Sequence, residues 1–371
     1  MPTISEVRVY NVEIPLTTVF STSNKTTTAS RLLLVNLRAD GVEGWGEAPL
    51  NITFTGETPA SARAAVERTA AESVLGRDAE AVAASLPEIG GRLGGLIGAR
   101  CALSMALWDL RGRMLGVPLH RLLGGARRTA VPVVYHLGHF DDDQDAHDAQ
   151  VATDAGFRIL KLKVGRDDVA ADLRAVERVR EAAGPHTRIY VDANQAWGRA
   201  QAAAFARHAP ELGVGVIEQP VSRWDLAGLA QLSATPGVVV AADESVYDPA
   251  QLLSALTAGT TPGGVVVKLL KAGGIEGARA LLDLCHLAGV QPFLAGMCGD
   301  SSIGSAALLH VAAAAPELPL GTAITPHFSR TDVVAEPLEV KDGQLHLEAV
   351  DSPGLGVEVD RAAVEALDIS E

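Results

Sequence analysis

The stretches RIYVDAN (188–194), VGVIEQP (214–220), VVVAADES (238–245) and GGVVVKLL (263–270) decide the fold. Each is a short apolar run ending at or near a charged residue: Asp192, Glu218, Asp243 and Lys268. Successive charges are 26, 25 and 25 residues apart. A strand with its crossover helix takes roughly 30 residues or slightly fewer, so each step reads as one βα unit. In a barrel of such units the strand C-termini share one mouth, where active sites lie. Three carboxylates and an amine then converge, which points to a divalent metal with an acid/base beside it.

The same texture extends in both directions. VPVVYHLG (131–138), RILKLKVG (158–165), QPFLAG (291–296) and LPLGT (318–322) complete a set of eight strands. Continuous apolar runs suit parallel strands covered on both faces. Segments such as VAADLRAVERVREAAG (169–184) are helical, with a Gly at the exit. The alternation predicts an α/β protein with a parallel sheet, and eight strands predict a closed TIM-type barrel. A doubly wound sheet is disfavoured, because no GxGxxG or P-loop follows a first strand.

Before the barrel, residues 1–50 read as strands and Gly turns, and residues 59–123 as helices. ARCALSMALWDL (99–110) is apolar nearly all round and reads as a buried packing helix. LLGGARR (122–128) marks a boundary. The expected division is a capping α+β domain over 1–126 and a barrel over 127–344. A strand-and-turn tail from about 345 to 371 rejoins the first domain.

The chain has 371 residues, 47% hydrophobic and 20% charged, which is globular composition. A net charge of −14 argues against nucleic acid or an anionic membrane as partner. It leaves anionic substrates open, since a bound metal inverts the local sign. No secretory leader is visible at the amino terminus and no apolar run is long enough to span a bilayer. The three cysteines, Cys101, Cys285 and Cys298, form no CxxC, so a reduced cytoplasmic protein is expected.

Asp192, Glu218 and Asp243 are hard oxygen donors of the kind Mg²⁺ requires. A helix cap or surface carboxylate would explain any one of them alone, but not three in register. Lys161 and Lys163, two apart in LKLKVG, share one face of the preceding strand. Neighbouring amines beside a metal are expected to have lowered pKa values, which suits a general base. Lys268, four strands further on, stands across the lumen from Lys163. Lys271 reads as a loop residue or ion-pair partner. His136, His139, His310 and His327 have no Asp at a useful spacing and read as structural. No GxSxG or HExxH is present.

Together with GWGEAP (44–49), TGET (55–58), MALWDLRG (105–112), LLGG (122–125), KLKVG, VDANQAW, IEQP, ADESV, KLLKAGG (268–274) and PGLGV (353–357), these features resemble the enolase superfamily, in its muconate lactonizing enzyme subgroup. The resemblance implies a capping domain on a modified (β/α)7β barrel. It implies Mg²⁺, with Mn²⁺ as a substitute, on Asp192, Glu218 and Asp243. Such members use a Lys or His base and a metal-stabilised enediolate. By the resemblance, Lys163 moves the proton α to a carboxylate, Lys268 acts on the opposite face, and Lys161 stabilises enolate charge. The texture is that of dipeptide epimerases, with departures. Thr322 and Ile324 fall where those enzymes carry a DxD that holds the substrate ammonium, and Asp300 falls where a Glu is common. Lys25, in STSNKTTT (21–28), falls where a basic specificity residue often sits.

The resulting expectation is a racemase or epimerase of an amino-acid derivative, N-acylated or dipeptide-like. A muconate-type cycloisomerase or an o-succinylbenzoate synthase is the alternative, and a non-catalytic metal-binding scaffold a remote one. The expected partner is a small-molecule carboxylate, and the family is usually homo-oligomeric.

Overall fold

A computed structural model describes residues 2–22 and 25–369, without the side chains of residues 18–25, 53 and 83. The side chain of Lys25 therefore lies outside the described residues. Three antiparallel strands open the chain, β1 (Ile4–Thr22), β2 (Lys25–Ala39) and β3 (Val42–Pro49). The helix Ile97–Leu115 packs on this sheet and is buried along most of its length, as its apolar circumference predicts.

GWGEAP supplies the contact. A Cβ on Gly46 would lie 2.0 Å from the carbonyl oxygen of Ala102, and one on Gly44 2.5 Å from that of Ala106. The helix thus lies backbone to backbone on β3 where the two glycines face it. Gly46→Ala is expected to destabilise the protein by roughly 3 kcal/mol, as overpacking against an unyielding backbone does. Urea unfolding monitored by circular dichroism measures it.

A short strand β4 (Ala130–Pro132) leads into eight parallel strands. These are β5 (Val134–Leu137), β6 (Ile159–Lys163), β7 (Arg188–Asp192), β8 (Val214–Glu218), β9 (Val239–Ala242), β10 (Gly264–Val267), β11 (Gln291–Ala295) and β12 (Thr322–Ala323). They pair in that order, and a parallel bridge between Val133 and Thr322 brings the last strand back to the first. The final strand falls at the end of LPLGT and beyond it, not within it.

One residue from each strand fills the lumen floor: Val134, Ile159, Tyr190, Val216, Ala241, Val266, Phe293 and Ala323. Because side chains alternate along a strand, this ring fixes which positions face inward. Residues two or four places beyond it rise toward the C-terminal mouth on the same face.

The tail pairs β13 (Gln344–His346) with β4. It then crosses to the first domain, where Leu355 N donates to Asp109 Oδ1 at 2.7 Å and Asn11 N to Asp368 Oδ1 at 3.1 Å. Among the described residues no helix is long and apolar enough to cross a membrane.

Candidate active site

Counting up from the lumen ring identifies the mouth. Two places beyond Ile159, Tyr190, Val216, Ala241 and Val266 stand Lys161, Asp192, Glu218, Asp243 and Lys268; four beyond Ile159 stands Lys163. All six side chains are buried at the strand ends. The 25-residue interval and the period of two thus bring these residues together.

The charges are interleaved. Lys161 Nζ donates to both oxygens of Glu218, at 3.0 and 2.9 Å, and lies 3.4 Å from Asp192 Oδ2. Lys163 Nζ donates to Asp192 Oδ2 at 2.6 Å and to Asn194 Oδ1 at 2.8 Å. Across the ring Lys268 Nζ donates to Asp243 Oδ2 at 2.7 Å. Its ammonium also lies 4.7 Å from the centre of the Phe54 ring, a cation–π contact made by the first domain. Tyr247 tethers that loop by donating its hydroxyl to Phe54 O at 3.1 Å.

Burial by itself would lower the pKa of Lys161 and Lys268, but their carboxylate partners raise both above the usual lysine range. The nearest neighbours of each ammonium are carboxylates rather than another amine, so attraction dominates. For the acids, burial works upward; the Lys163 and Lys161 ammonium groups overcome it at Asp192 and hold that carboxyl far down. At Glu218 burial and the charge of Asp192 prevail over Lys161, and the carboxyl is pushed up to about 7.

Lys271 proves more central than its sequence context suggested. Only 1% exposed, it donates to Asp243 O at 2.7 Å and Val246 O at 2.8 Å, and lies 2.8 Å from Asp243 Oδ1. Burial lowers its pKa. It is the ion-pair partner anticipated, and it also fixes the backbone that carries Asp243. Lys271→Met is expected to cost about 3–5 kcal/mol, because it leaves Asp243 and two buried carbonyls short of a partner. Thermal and urea unfolding measure the loss.

Asn194, Phe54 and Glu244 are further residues of the mouth that spacing did not single out. Glu244 is 7% exposed; its Oε1 accepts a long 3.4 Å hydrogen bond from Asn194 Nδ2, while its buried Oε2 has no hydrogen-bond partner. Gln219, with φ +36°, accepts from Asp243 N at 2.9 Å and Ser245 N at 3.1 Å, tying neighbouring strand ends together.

The donor set suits a hard divalent cation: three carboxylates at adjacent strand ends, plus an orphaned carboxylate oxygen on Glu244. As the side chains stand, no three acidic, imidazole or thiol groups among the described residues surround one point. Ammonium groups lie against the carboxylates instead.

The four residues expected to bind substrate separate. Asp300 reaches the site, lining a cavity with Lys268, Met297 and Glu47. Thr322 and Ile324 do not. Ala323, the residue between them, faces the lumen, whereas Ile324 joins the core outside it and Thr322 Oγ1 donates to Pro132 O at 2.8 Å. Ala323, one place from each of the expected pair, is therefore the inward residue of β12. Of the histidines, His136 stands two places beyond Val134 and faces the mouth, where burial and then the Lys161 and Lys163 charges hold its pKa well below the usual imidazole value; His139 pairs with Asp148, at 2.8 Å.

Comparison with known proteins agrees with this geometry. Residues 4–124 match the model of the mandelate racemase/muconate lactonizing enzyme N-terminal domain, and residues 144–363 that of the enolase C-terminal domain-like family. The L-Ala-D/L-Glu epimerase of Bacillus subtilis is 31% identical over 95% of this chain and 96% of its own. The muconate lactonizing enzyme of Pseudomonas fluorescens, solved with muconolactone, superposes with a TM-score of 0.94 at 29% identity, covering 99% of both chains. The N-succinyl Arg/Lys racemase of Bacillus cereus gives a TM-score of 0.93 at 25% identity, covering 99% of this chain and 98% of the other. With both domains matched and the barrel mouth bearing its lysines and carboxylates on the expected strands, this chain belongs to the mandelate racemase/muconate lactonizing enzyme family of the enolase superfamily and is an isomerase.

Proposed function

We propose that this isomerase is a Mg²⁺-dependent racemase or epimerase that moves the proton α to the carboxylate of an amino-acid derivative. The observation that carries the reading is the placement of Lys163 and Lys268 on β6 and just beyond β10, four strands apart in a ring of eight, with the carboxylates between them. A substrate lying across the mouth presents one face to each amine.

Asp192, Glu218 and Asp243 would hold the cation. When bound, it would take over part of the carboxylate charge that now holds the ammonium groups and would withdraw charge from the substrate carboxylate. Lys163 then accepts the α-proton on one face as the C–H electron pair passes into the carboxylate. Lys268 delivers a proton to the same carbon from the other face, inverting it, and the roles exchange in reverse. Lys161, between Glu218 and Asp192, stabilises the added negative charge. We assign residues 1–126 with the tail from about 345 to the cap, and 127–344 to the catalytic barrel.

The inner face of β12 bears on the substrate. Ala323 supplies no carboxylate there, so nothing on that strand's inward face matches a free α-ammonium. An N-acylated amino acid fits better than a dipeptide with a free amino terminus. The relatives divide between epimerase, racemase and muconate lactonizing activities. Proton NMR in D2O over N-acyl amino acids, dipeptides and muconates tests the reading. Loss of the α-proton signal from both enantiomers of an N-acyl amino acid is the expected result. Turnover of a muconate with no α-exchange on any amino-acid derivative would replace the proposal with a cycloisomerase.

A further inference from the structure

One buried acid at the mouth has no part in the reaction just described. Glu47, in the GWGEAP segment of β3, is 1% exposed and belongs to the cap, not the barrel. Its Oε1 accepts from Ser301 N at 3.0 Å and its Oε2 from the Ser301 hydroxyl. Ser301 is the N-cap of the helix Ser302–Ala314 and directly follows Asp300. The peptide N–H that Glu47 holds is therefore the one attached to the Asp300 carbonyl.

Asp300 is held from its other side by its own loop. Met297 N donates to its Oδ2 at 3.0 Å, and Asp300 N donates to Met297 O at 3.2 Å. The remaining oxygen, Oδ1, is buried with no hydrogen-bond partner among the described residues. Asp300, Glu47 and Lys268 line one cavity. Two glycines make room for the acids. A Cβ on Gly304 would lie 2.5 Å from Glu47 Oε1, and one on Gly296 2.1 Å from Asp300 Oδ2.

We propose that Glu47 is a positioning residue supplied by the cap: through Ser301 it fixes the Asp300 loop so that Oδ1 can hydrogen-bond a substrate bound beside Lys268. The inference rests on the isomerase site described above and adds a cap residue to it. Seating of the cap thereby becomes a condition for the barrel wall to be complete.

Asp300 in turn acts on the proton that Glu47 carries. Burial pushes the Asp300 carboxyl up to about 7, against the Met297 N–H and the Lys268 ammonium, and burial with the charge of Asp300 raises Glu47 well above the carboxylate range. The other ionisable groups facing the pair are Cys101 on the helix Ile97–Leu115, Cys298 on the Asp300 loop, and Asp332, which holds Ser302. Two carboxyls in one dry wall do not both ionise readily. A protonated Asp300 can donate from Oδ1; it is present below about 7 and is lost as pH rises through that value.

The test compares Glu47→Gln and Glu47→Asp with the wild-type protein. Carbon NMR of labelled aspartate, with Asp300→Asn for assignment, follows ionisation of Asp300 without any substrate. Glu47→Gln cannot accept from both Ser301 groups; the loosened loop lets water reach Asp300, which relieves the burial that raises it and is expected to move that midpoint, and the basic limb of kcat, about one unit lower. Glu47→Asp keeps the carboxyl group but shortens the reach to Ser301, and is expected to lower kcat roughly tenfold with little change in KM. A uniform loss of activity or melting temperature in Glu47→Gln, with the midpoint unmoved, would overturn the proposal. If Glu47→Gln does not fold, an unchanged kcat in Glu47→Asp overturns it. Should the wild-type protein exchange no α-proton, the isomerase reading fails by itself, while the NMR midpoint still reports on the hold that Glu47 exerts on the Asp300 loop through Ser301.

Discussion

Asp243→Asn is expected to weaken the fold and cation binding together. The substitution keeps the volume and removes one charge. Asp243 faces two buried ammonium groups, Lys268 at 2.7 Å and Lys271 at 2.8 Å. Taking one partner from a buried ion pair costs about 3–5 kcal/mol, because the charge left behind has already been desolvated. Here two amines lose the same partner, which places the expected loss toward the upper end. Calorimetric titration with MgCl2 supplies the second readout. If Asp243 is one of three carboxylate ligands, the variant binds Mg²⁺ at least tenfold more weakly than the wild-type protein. A variant with lowered stability and unchanged Mg²⁺ affinity would make Asp243 a structural counter-ion only.

The second large effect concerns the two amines taken singly. Lys163→Ala and Lys268→Ala are each expected to lower racemisation by at least about 10³-fold, since inversion needs a proton removed from one face and delivered to the other. Exchange of the α-proton with solvent should divide by enantiomer. Each variant keeps exchange of the enantiomer whose proton faces the remaining lysine and loses it for the other. Deuterium incorporation into separate D and L substrates, with racemisation followed by chiral chromatography, measures both. Equal loss for the two enantiomers in either variant would point to a single base. Lys161→Ala is distinguished by lowering both directions alike, because Lys161 donates to Glu218 from within the carboxylate cluster.

Much of this site is legible in the sequence alone, for a simple physical reason. Parallel strands covered by helices must be apolar on both faces, so a charged residue at the end of such a run stands out. Asp192, Glu218, Asp243 and Lys268 do so at nearly equal intervals, and the Lys161–Lys163 pair is legible from the period of two. What is not legible depends on contacts made over long sequence distances. Glu47 meets Ser301 254 residues away, and the bond that ties Lys271 to the Asp243 carbonyl depends on how a short helix turns after β10. The inward face of β12 is not legible, because that strand is only two residues long. No alternating pattern establishes its parity there, and an error of one residue exchanges lumen for helix layer. The glycines of GWGEAP carry a signal of their own, since helix-on-strand contact at Gly44 and Gly46 leaves no space for a side chain.

The central claim is that one amine serves each face of the substrate. Proton NMR in D2O of a racemised N-acyl amino acid, with wild-type protein and with the Lys163→Ala/Lys268→Ala double variant, tests it most directly. The account predicts rapid α-deuteration of both enantiomers by the wild-type protein and none above background by the double variant. Deuteration by the double variant at a rate near that of the wild-type protein would contradict it.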